Sequence, residues 1–206
     1  MKTIVLLGGG GHCRSCIDVI EAEQKFSIFG VIQPTLDSNL EVMGYPILGT
    51  DDDLASILAQ HKTAFVTVGQ IKSNDVRKSL YDRLRALGAE LPVIISPVAR
   101  CAPSASVEDG TILMHGSLVN ANAYVGVNCI INSQALIEHD AYVSHHCHIS
   151  TGARVNGGVY IGEGTFVGSG AILKEGIRVG CGVVIGAGQT VLKDVTDGMI
   201  VRGRDD

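Results

Sequence analysis

A six-residue period runs through the C-terminal half of this 206-residue sequence and constrains its fold more than any other feature. Period six does not fit an α-helix, and hexapeptide repeats are typical of a parallel β-helix in which three hexads make one triangular coil. We therefore expect about five coils of about 18 residues each, with aliphatic side chains stacked inside and no long loop between residues 107 and 196. The fifteen positions of the period are all aliphatic: Val107, Leu113, Val119, Val125, Ile131, Ile137, Val143, Ile149, Val155, Ile161, Val167, Leu173, Val179, Ile185 and Val191.

The N-terminal half lacks this period and alternates between β-rich runs and amphipathic helical patterns. This alternation is typical of a small, Rossmann-like parallel α/β sheet. We therefore divide the chain into an α/β domain, residues 1–96, and an all-β domain, residues 97–206. Strands are expected at residues 3–7, 28–32, 64–68 and 91–95, and helices at residues 13–24, 51–60 and 73–87.

Composition excludes several classes of protein. A net charge of −5 argues against a nucleic-acid binder, which needs a basic face for phosphates. No run approaches the roughly 18 apolar residues that span a bilayer, and the apolar start is too short for a signal peptide. We expect a cytoplasmic protein without membrane insertion. An inert structural prism, with no chemistry of its own, is compatible with the repeat alone.

A glycine-rich turn, Gly8–Gly11, separates the first strand from the first helix and precedes His12. Its backbone N–H groups could approach phosphates or another polar ligand closely. A dinucleotide site is disfavoured, because Cys13 stands in place of the third glycine and Gln33 stands where an acidic residue would end the second strand. A tight turn that binds no ligand is the alternative.

The polar cluster around His139 breaks the logic of the repeat, which places short side chains at its turns. His139 occupies the third position of its hexad, where Ala121 and Gly157 are its equivalents one coil away. It stands between Glu138 and Asp140, and a carboxylate beside an imidazole can fix its tautomer and raise its basicity. We interpret His139 as a candidate general base, the alternative being a solvated surface histidine.

His148 follows His139 by nine residues, which is half of an 18-residue coil. The two side chains cannot lie on one face of the same prism, so they could meet only across a subunit interface. A zinc lyase is a further hypothesis, although the histidine spacing differs from that of known β-helix zinc sites. Its candidate ligands are His115, His139, His145, His146 and His148. The Cys13–Cys16 pair has redox spacing, but packing is the favoured interpretation because no second pair completes a zinc site.

Taken together, these features resemble the NeuD/PglD-type bacterial sugar acetyltransferases. This family includes sialic-acid O-acetyltransferases and N-acetyltransferases of UDP-linked 4-amino-4,6-dideoxy sugars. The resemblance covers nearly the whole chain, and the order of an α/β domain before a hexapeptide domain is its most specific part. Its other markers are Gly8-x-Gly10-Gly11-His12, Val68-Gly69 followed by Arg77, Ile131-Asn132, Ile137-Glu138-His139-Asp140 and His148-Ile149-Ser150.

The resemblance implies a left-handed β-helix, assembled as a homotrimer with active sites between subunits. It implies direct attack of a sugar amine or hydroxyl on acetyl-CoA, without a metal, with His139 as the base and Asp140 raising its basicity. Contacts to acetyl-CoA are implied for His148, Gly157, Ser169 and Ala187. The sugar nucleotide is expected at Gly10, Gly11, His12, Gln33 and Gly69. An amino sugar is the first choice, O-acetylation of sialic acid the second, and a non-catalytic sugar-nucleotide-binding protein the third.

Overall fold

The computed structural model describes residues 1–35 and 40–203, so the last three residues of the predicted β-helix domain lie outside the described residues. The N-terminal part contains five strands and three helices among its described residues. The elements are β1 (Lys2–Leu7), α1 (Gly11–Glu23), β2 (Phe26–Gln33), β3 (Glu41–Val42), β4 (Tyr45–Thr50), a 3-10 turn (Asp51–Asp53), α2 (Leu54–Leu58), β5 (Ala64–Val66) and α3 (Asp75–Ala86).

These strands form one sheet in the order β3-β4-β2-β1-β5. Strand β1 pairs in parallel with β2 and with β5, and β2 pairs in parallel with β4, which confirms the predicted parallel α/β sheet. The short hairpin of β3 and β4 was not predicted. The helix expected at residues 51–60 is shorter in the structure, because its first three residues form the 3-10 turn.

The C-terminal part is a left-handed parallel β-helix of two-residue strands. Three parallel sheets of seven, six and five strands form its faces within the described residues. The strands are β6 (Ile94–Ile95), β7 (Arg100–Cys101), β8 (Ser106–Val107), β9 (Ile112–Leu113), β10 (Leu118–Val119), β11 (Tyr124–Val125), β12 (Ile130–Ile131), β13 (Leu136–Ile137), β14 (Tyr142–Val143), β15 (His148–Ile149), β16 (Arg154–Val155), β17 (Tyr160–Ile161), β18 (Phe166–Val167), β19 (Ile172–Leu173), β20 (Arg178–Val179), β21 (Val184–Ile185), β22 (Thr190–Val191) and β23 (Ile200–Val201).

The run at residues 91–95 was predicted as a fourth strand of the α/β sheet, and this prediction was wrong. Ile94 and Ile95 pair instead with Ile112 and Leu113, so β6 is the first strand of the β-helix. The sequence could not separate the two possibilities, because a short aliphatic run suits either sheet. The β-helix is therefore longer at its N-terminal end than the period from Val107 indicates.

Each coil repeats after 18 residues, as in the pairing of Leu118 with Leu136 and of Leu136 with Arg154. Fourteen of the fifteen aliphatic positions are buried in one continuous core, and Val107 packs against it. Corners recur every six residues with a left-handed residue, either glycine or a residue such as Asn122, Asn128 or Asp140. Short polar residues tolerate this conformation better than bulky ones. The core prediction and the absence of a long insertion up to Val191 are thus confirmed.

Two helices of the α/β part, α1 and α3, pack against the β-helix. Helix α1 packs through Ile17 and Ile20 in one cluster with Ile94, Ile112 and Ile130, which lie outside the prism core on one face. Helix α3 contacts the prism through the buried Arg77, whose Nε–H donates to the Asn128 carbonyl, through Lys78, which pairs with Glu163, and through Tyr81, which packs against His146. No helix of the described residues is long and apolar enough to cross a membrane.

Candidate active site

His139 is held at a corner of the prism by carboxylates on both sides. Its Nδ1–H donates to Asp140 Oδ2 at 2.8 Å, and its backbone N–H donates to Glu138 Oε2 at 3.1 Å. The neighbouring coil supports both acids, since Asn120 Nδ2 donates to Glu138 at 2.8 Å and Asn122 Nδ2 to Asp140 at 3.4 Å. The imidazole is thereby oriented with Nε2 directed away from Asp140.

The hydrogen-bonded pair of His139 and Asp140 makes the imidazole more basic. The hydrogen bond to Asp140 raises the pKa of His139 above its ordinary value, and the same bond lowers the pKa of Asp140. Both side chains are exposed, so solvent screens the pair and its contribution to stability is small. Its importance is chemical, because a more basic imidazole accepts a proton more readily at neutral pH.

The other histidines lack this combination of exposure and a free ring nitrogen. His115 also has a carboxylate partner, since Nε2 lies 2.7 Å from Asp18 Oδ2, but its Nδ1 lies 2.6 Å from the buried Ser96 Oγ. His146 is buried and accepts from Asn128 Nδ2 at 2.9 Å. Among the described residues, His139 is the one exposed histidine.

His148 is buried between the two parts of the chain. Its Nδ1–H donates to the Gln70 carbonyl at 2.7 Å, and its Nε2 accepts from Asn132 Nδ2 at 3.1 Å. Burial lowers the pKa of His148 to about 4, so the ring is neutral at physiological pH. His12 lies beside it, with ring centroids 6.4 Å apart, and burial lowers the pKa of His12 to about 3.

The glycine turn leaves open backbone at the start of helix α1. A Cβ at Gly10 or Gly11 would meet no atom of the described residues within 4 Å, and the helix start has no side-chain cap. Free N–H groups at a helix N-terminus attract anions. Gly69 adjoins this turn, where a Cβ would lie 3.4 Å from His12 Cβ.

Gln33 borders the same turn. Its side chain lies over Gly9, where a Cβ would stand 2.8 Å from Gln33 Cδ and Oε1. The five residues expected to hold the sugar nucleotide therefore lie around one edge of the sheet, where β1, β2 and β5 end.

The residues expected to contact acetyl-CoA occupy more than one place. Ser169 Oγ lies 2.9 Å from Ser150 Oγ, and Ala187 follows Ser169 by one coil at the same corner. His148 stands on the adjoining face, two residues from Ser150. Gly157 lies instead beside His139, at the corner after β16.

The described residues therefore contain two separate groups within one chain. His12, Gly69 and His148 form one group, while His139, Asp140 and Gly157 form the other. His139 follows β13, whereas His148 belongs to β15 in a different sheet.

Comparison with solved structures decides the family. The acetyltransferase domain of PglB from Neisseria gonorrhoeae is 30% identical, with a TM-score of 0.90, and the match covers 100% of this chain and 98% of that chain. The chain belongs to the NeuD/PglD-type family of sugar acetyltransferases. It is accordingly an acyltransferase. The model of the PglD N-terminal domain matches residues 3–84, within the α/β part.

Two further structures of relatives contain ligands. The same PglB domain in complex with acetyl coenzyme A is 31% identical, covers 98% of this chain and 96% of that chain, and gives a TM-score of 0.90. A histidine-to-asparagine variant of perosamine N-acetyltransferase from Caulobacter crescentus, in complex with CoA and GDP-perosamine, is 29% identical. That match covers 100% of this chain and 95% of that chain, with a TM-score of 0.91. The search of curated protein sequences found no significant match.

No cluster of three or more metal-ligating side chains occurs in residues 1–35 and 40–203. Of the five histidines in the zinc hypothesis, His115, His146 and His148 each have a ring nitrogen bound to a neighbouring protein group. Cys13 and Cys16 are buried free thiols, and burial raises the pKa of both. This environment suits packing better than redox chemistry.

Several residues that support the candidate site residues were not predicted. Asn120 and Asn122 precede Glu138 and Asp140 by one coil, so an 18-residue offset in the sequence could have identified them. Gln70 is different, because its carbonyl reaches His148 across 78 residues of sequence. No pattern in the sequence indicates that contact.

Proposed function

We propose that this enzyme transfers the acetyl group of acetyl-CoA to the amine of a nucleotide-linked 4-amino-dideoxy sugar, with His139 as the general base. One observation carries the assignment of the base. His139 is exposed, has Nδ1 bound to Asp140, and keeps Nε2 free for a substrate proton. The relatives that were solved with CoA, acetyl-CoA and GDP-perosamine support the choice of donor and acceptor.

The reaction would proceed by direct attack. The sugar nitrogen forms a bond to the thioester carbonyl carbon while Nε2 of His139 takes the proton from that nitrogen. The tetrahedral oxyanion collapses, the carbon–sulfur bond breaks, and His139 returns the proton to the departing CoA thiolate. Asp140 stabilises the imidazolium that exists between these steps.

The α/β part would hold the sugar nucleotide. The open backbone at Gly10 and Gly11 suits a diphosphate at the N-terminus of α1, while Gln33 and Gly69 border the same space. His12 is neutral because its pKa is lowered to about 3, so it would contribute hydrogen bonds rather than charge. The division of labour between residues 1–96 and residues 97–206 is part of this proposal.

The acyl donor would lie along the corner of Ser169 and Ala187, next to His148, with Gly157 near the reacting end. Within one chain His148 and His139 lie apart, on different faces of the prism. We therefore propose a homotrimer in which a neighbouring subunit supplies His139. Acetyl-CoA and nucleotide sugars are cytoplasmic metabolites, and we place the reaction in the cytoplasm.

The test compares His139→Ala with His115→Ala, because both remove a histidine that has a carboxylate partner. Acetyl transfer from acetyl-CoA is followed with GDP-perosamine, with UDP-linked 4-amino sugars and with CMP-sialic acid. We expect N-acetylated product from an amino sugar, and a fall in kcat of about 10²- to 10⁴-fold for His139→Ala alone. Binding of acetyl-CoA, measured by calorimetry, should persist in both variants.

Near-wild-type turnover by His139→Ala would refute the role of His139. Acetylation of sialic acid alone would refute the amino-sugar assignment. Sedimentation that showed a fully active monomer would refute the shared site.

A further inference from the structure

The imidazole of His139 occupies the space that a side chain at position 157 would fill, and residue 157 is a glycine. A Cβ built on Gly157 would stand 2.8 Å from both Cε1 and Nε2 of His139, and 3.4 Å from Nδ1. Real Cβ atoms essentially never approach other heavy atoms so closely. The two corners are also joined through their backbones, since the Gly158 N–H donates to the His139 carbonyl at 3.0 Å.

The backbone gives no reason for a glycine at this position. Gly158, the next residue, has a left-handed φ of +65°, which favours glycine. Gly157 does not share that conformation. Ala121, at the same corner two coils below, shows that a Cβ fits the repeat there. The steric demand at Gly157 therefore comes from the imidazole alone.

We propose that Gly157 is a positioning residue for His139, providing the slot that keeps its ring against Asp140; this inference rests on the proposed function. The ring in this slot presents Nε2 beside the bare α-carbon of Gly157. A methyl group at position 157 would displace the ring from its place and break the bond to Asp140. The ring is exposed and can swing into solvent, so the fold should tolerate the change.

The experiment uses the full chain with Gly157→Ala, and Glu175→Ala as the control at the same corner one coil above. The titration of His139 is followed by NMR, and kcat, KM for acetyl-CoA and the urea midpoint are measured. We expect Gly157→Ala to bring the pKa of His139 down towards its ordinary value of 6.5. We expect kcat to fall at least about 100-fold, with less than about threefold change in KM and an unchanged urea midpoint.

The charged groups that raise the pKa of His139 are Asp140 and Glu138, so Asp140→Asn should reproduce the NMR shift. An unchanged titration of His139 in Gly157→Ala would overturn the proposal, whatever happens to turnover. Loss of acetyl-CoA binding with an unchanged titration would likewise overturn it and assign Gly157 to the cofactor only. A shifted titration combined with an active His139→Ala would support the slot while refuting the proposed function.

Discussion

Two buried histidines, His146 and His148, and the half-buried His12 make the stability of this enzyme depend on pH. Burial lowers the pKa of His12 to about 3 and the pKa values of His146 and His148 to about 4. All three lie where the α/β part meets the β-helix. His146 contacts Tyr81 of α3 edge to face, and His148 is bound to Gln70. An unfolded chain protonates these rings near pH 6.5, whereas the folded chain keeps them neutral.

The sign of the effect follows from proton binding. Below pH 6.5 the unfolded state binds more protons than the folded state, so the free energy of unfolding falls as the pH falls. Each unit of pKa displacement corresponds to about 1.4 kcal/mol, so a change from pH 7.5 to pH 5 removes about 2 kcal/mol per histidine. Three histidines together give about 6 kcal/mol, which is comparable with the total stability of many domains. His139 acts in the opposite direction, but it is exposed and its effect is weak.

Urea unfolding at fixed protein concentration, between pH 7.5 and pH 4.5, measures this dependence. His146→Asn is the informative variant, because Asn128 occupies the same corner position one coil below with a similar left-handed φ. In this variant the slope of the free energy of unfolding against pH should fall by about one third, or by about 1.4 kcal/mol per pH unit. A wild-type change below about 1 kcal/mol between pH 7.5 and pH 5, or an unchanged slope in His146→Asn, would refute the reasoning.

Two further predictions concern the base and the corner under α3. Asp140→Asn should lower the pKa of His139, so the acid limb of the pH–kcat profile should move to lower pH while the plateau falls; a limb that does not move would contradict the pairing. Gly164→Ala and Gly182→Ala both place alanine at a left-handed φ, but only at Gly164 would the Cβ approach Asn74 Nδ2, at 2.7 Å. Urea unfolding should show a common loss of about 1–2 kcal/mol, with about 1–3 kcal/mol more for Gly164→Ala. Equal losses of unfolding free energy in the two variants would contradict this, because they would mean that the Asn74 side chain moves aside at no energetic cost.

The hexapeptide period predicted the β-helix at the level of single residues, because its pattern is local and regular. The aliphatic positions and the vertical neighbours 18 residues apart both follow from counting. The sequence did not predict that β6 belongs to the β-helix. Ile94 and Ile95 would look the same in a strand of the α/β sheet, and only the strand with which they pair distinguishes the two. The hairpin of β3 and β4 was missed because two-residue strands carry almost no pattern.

In the candidate site too, contacts between sequence neighbours could be predicted, whereas contacts between distant residues could not. Asp140 beside His139 is a contact between sequence neighbours, so the sequence could predict it. The Gln70 carbonyl on His148 depends on how the α/β part docks against the prism. The guanidinium of Arg77 is a second example, since it donates to the carbonyls of Val66, Val68 and Asn128 at 2.8, 2.9 and 3.2 Å. Such contacts are set by tertiary packing rather than by spacing.

The environments of His139 and His148 push their pKa values in opposite directions, and this separates their roles. A carboxylate raises the pKa of His139, while burial lowers the pKa of His148 to about 4. Paired titratable groups with diverging pKa values indicate which group exchanges protons. His148 has both ring nitrogens engaged, by Gln70 and Asn132, and has no free nitrogen for a substrate proton. This difference supports the proposal that His139, whose exposed ring has its Nδ1 bound to Asp140 and, among the described residues, no hydrogen-bond partner at Nε2, is the group that takes the substrate proton.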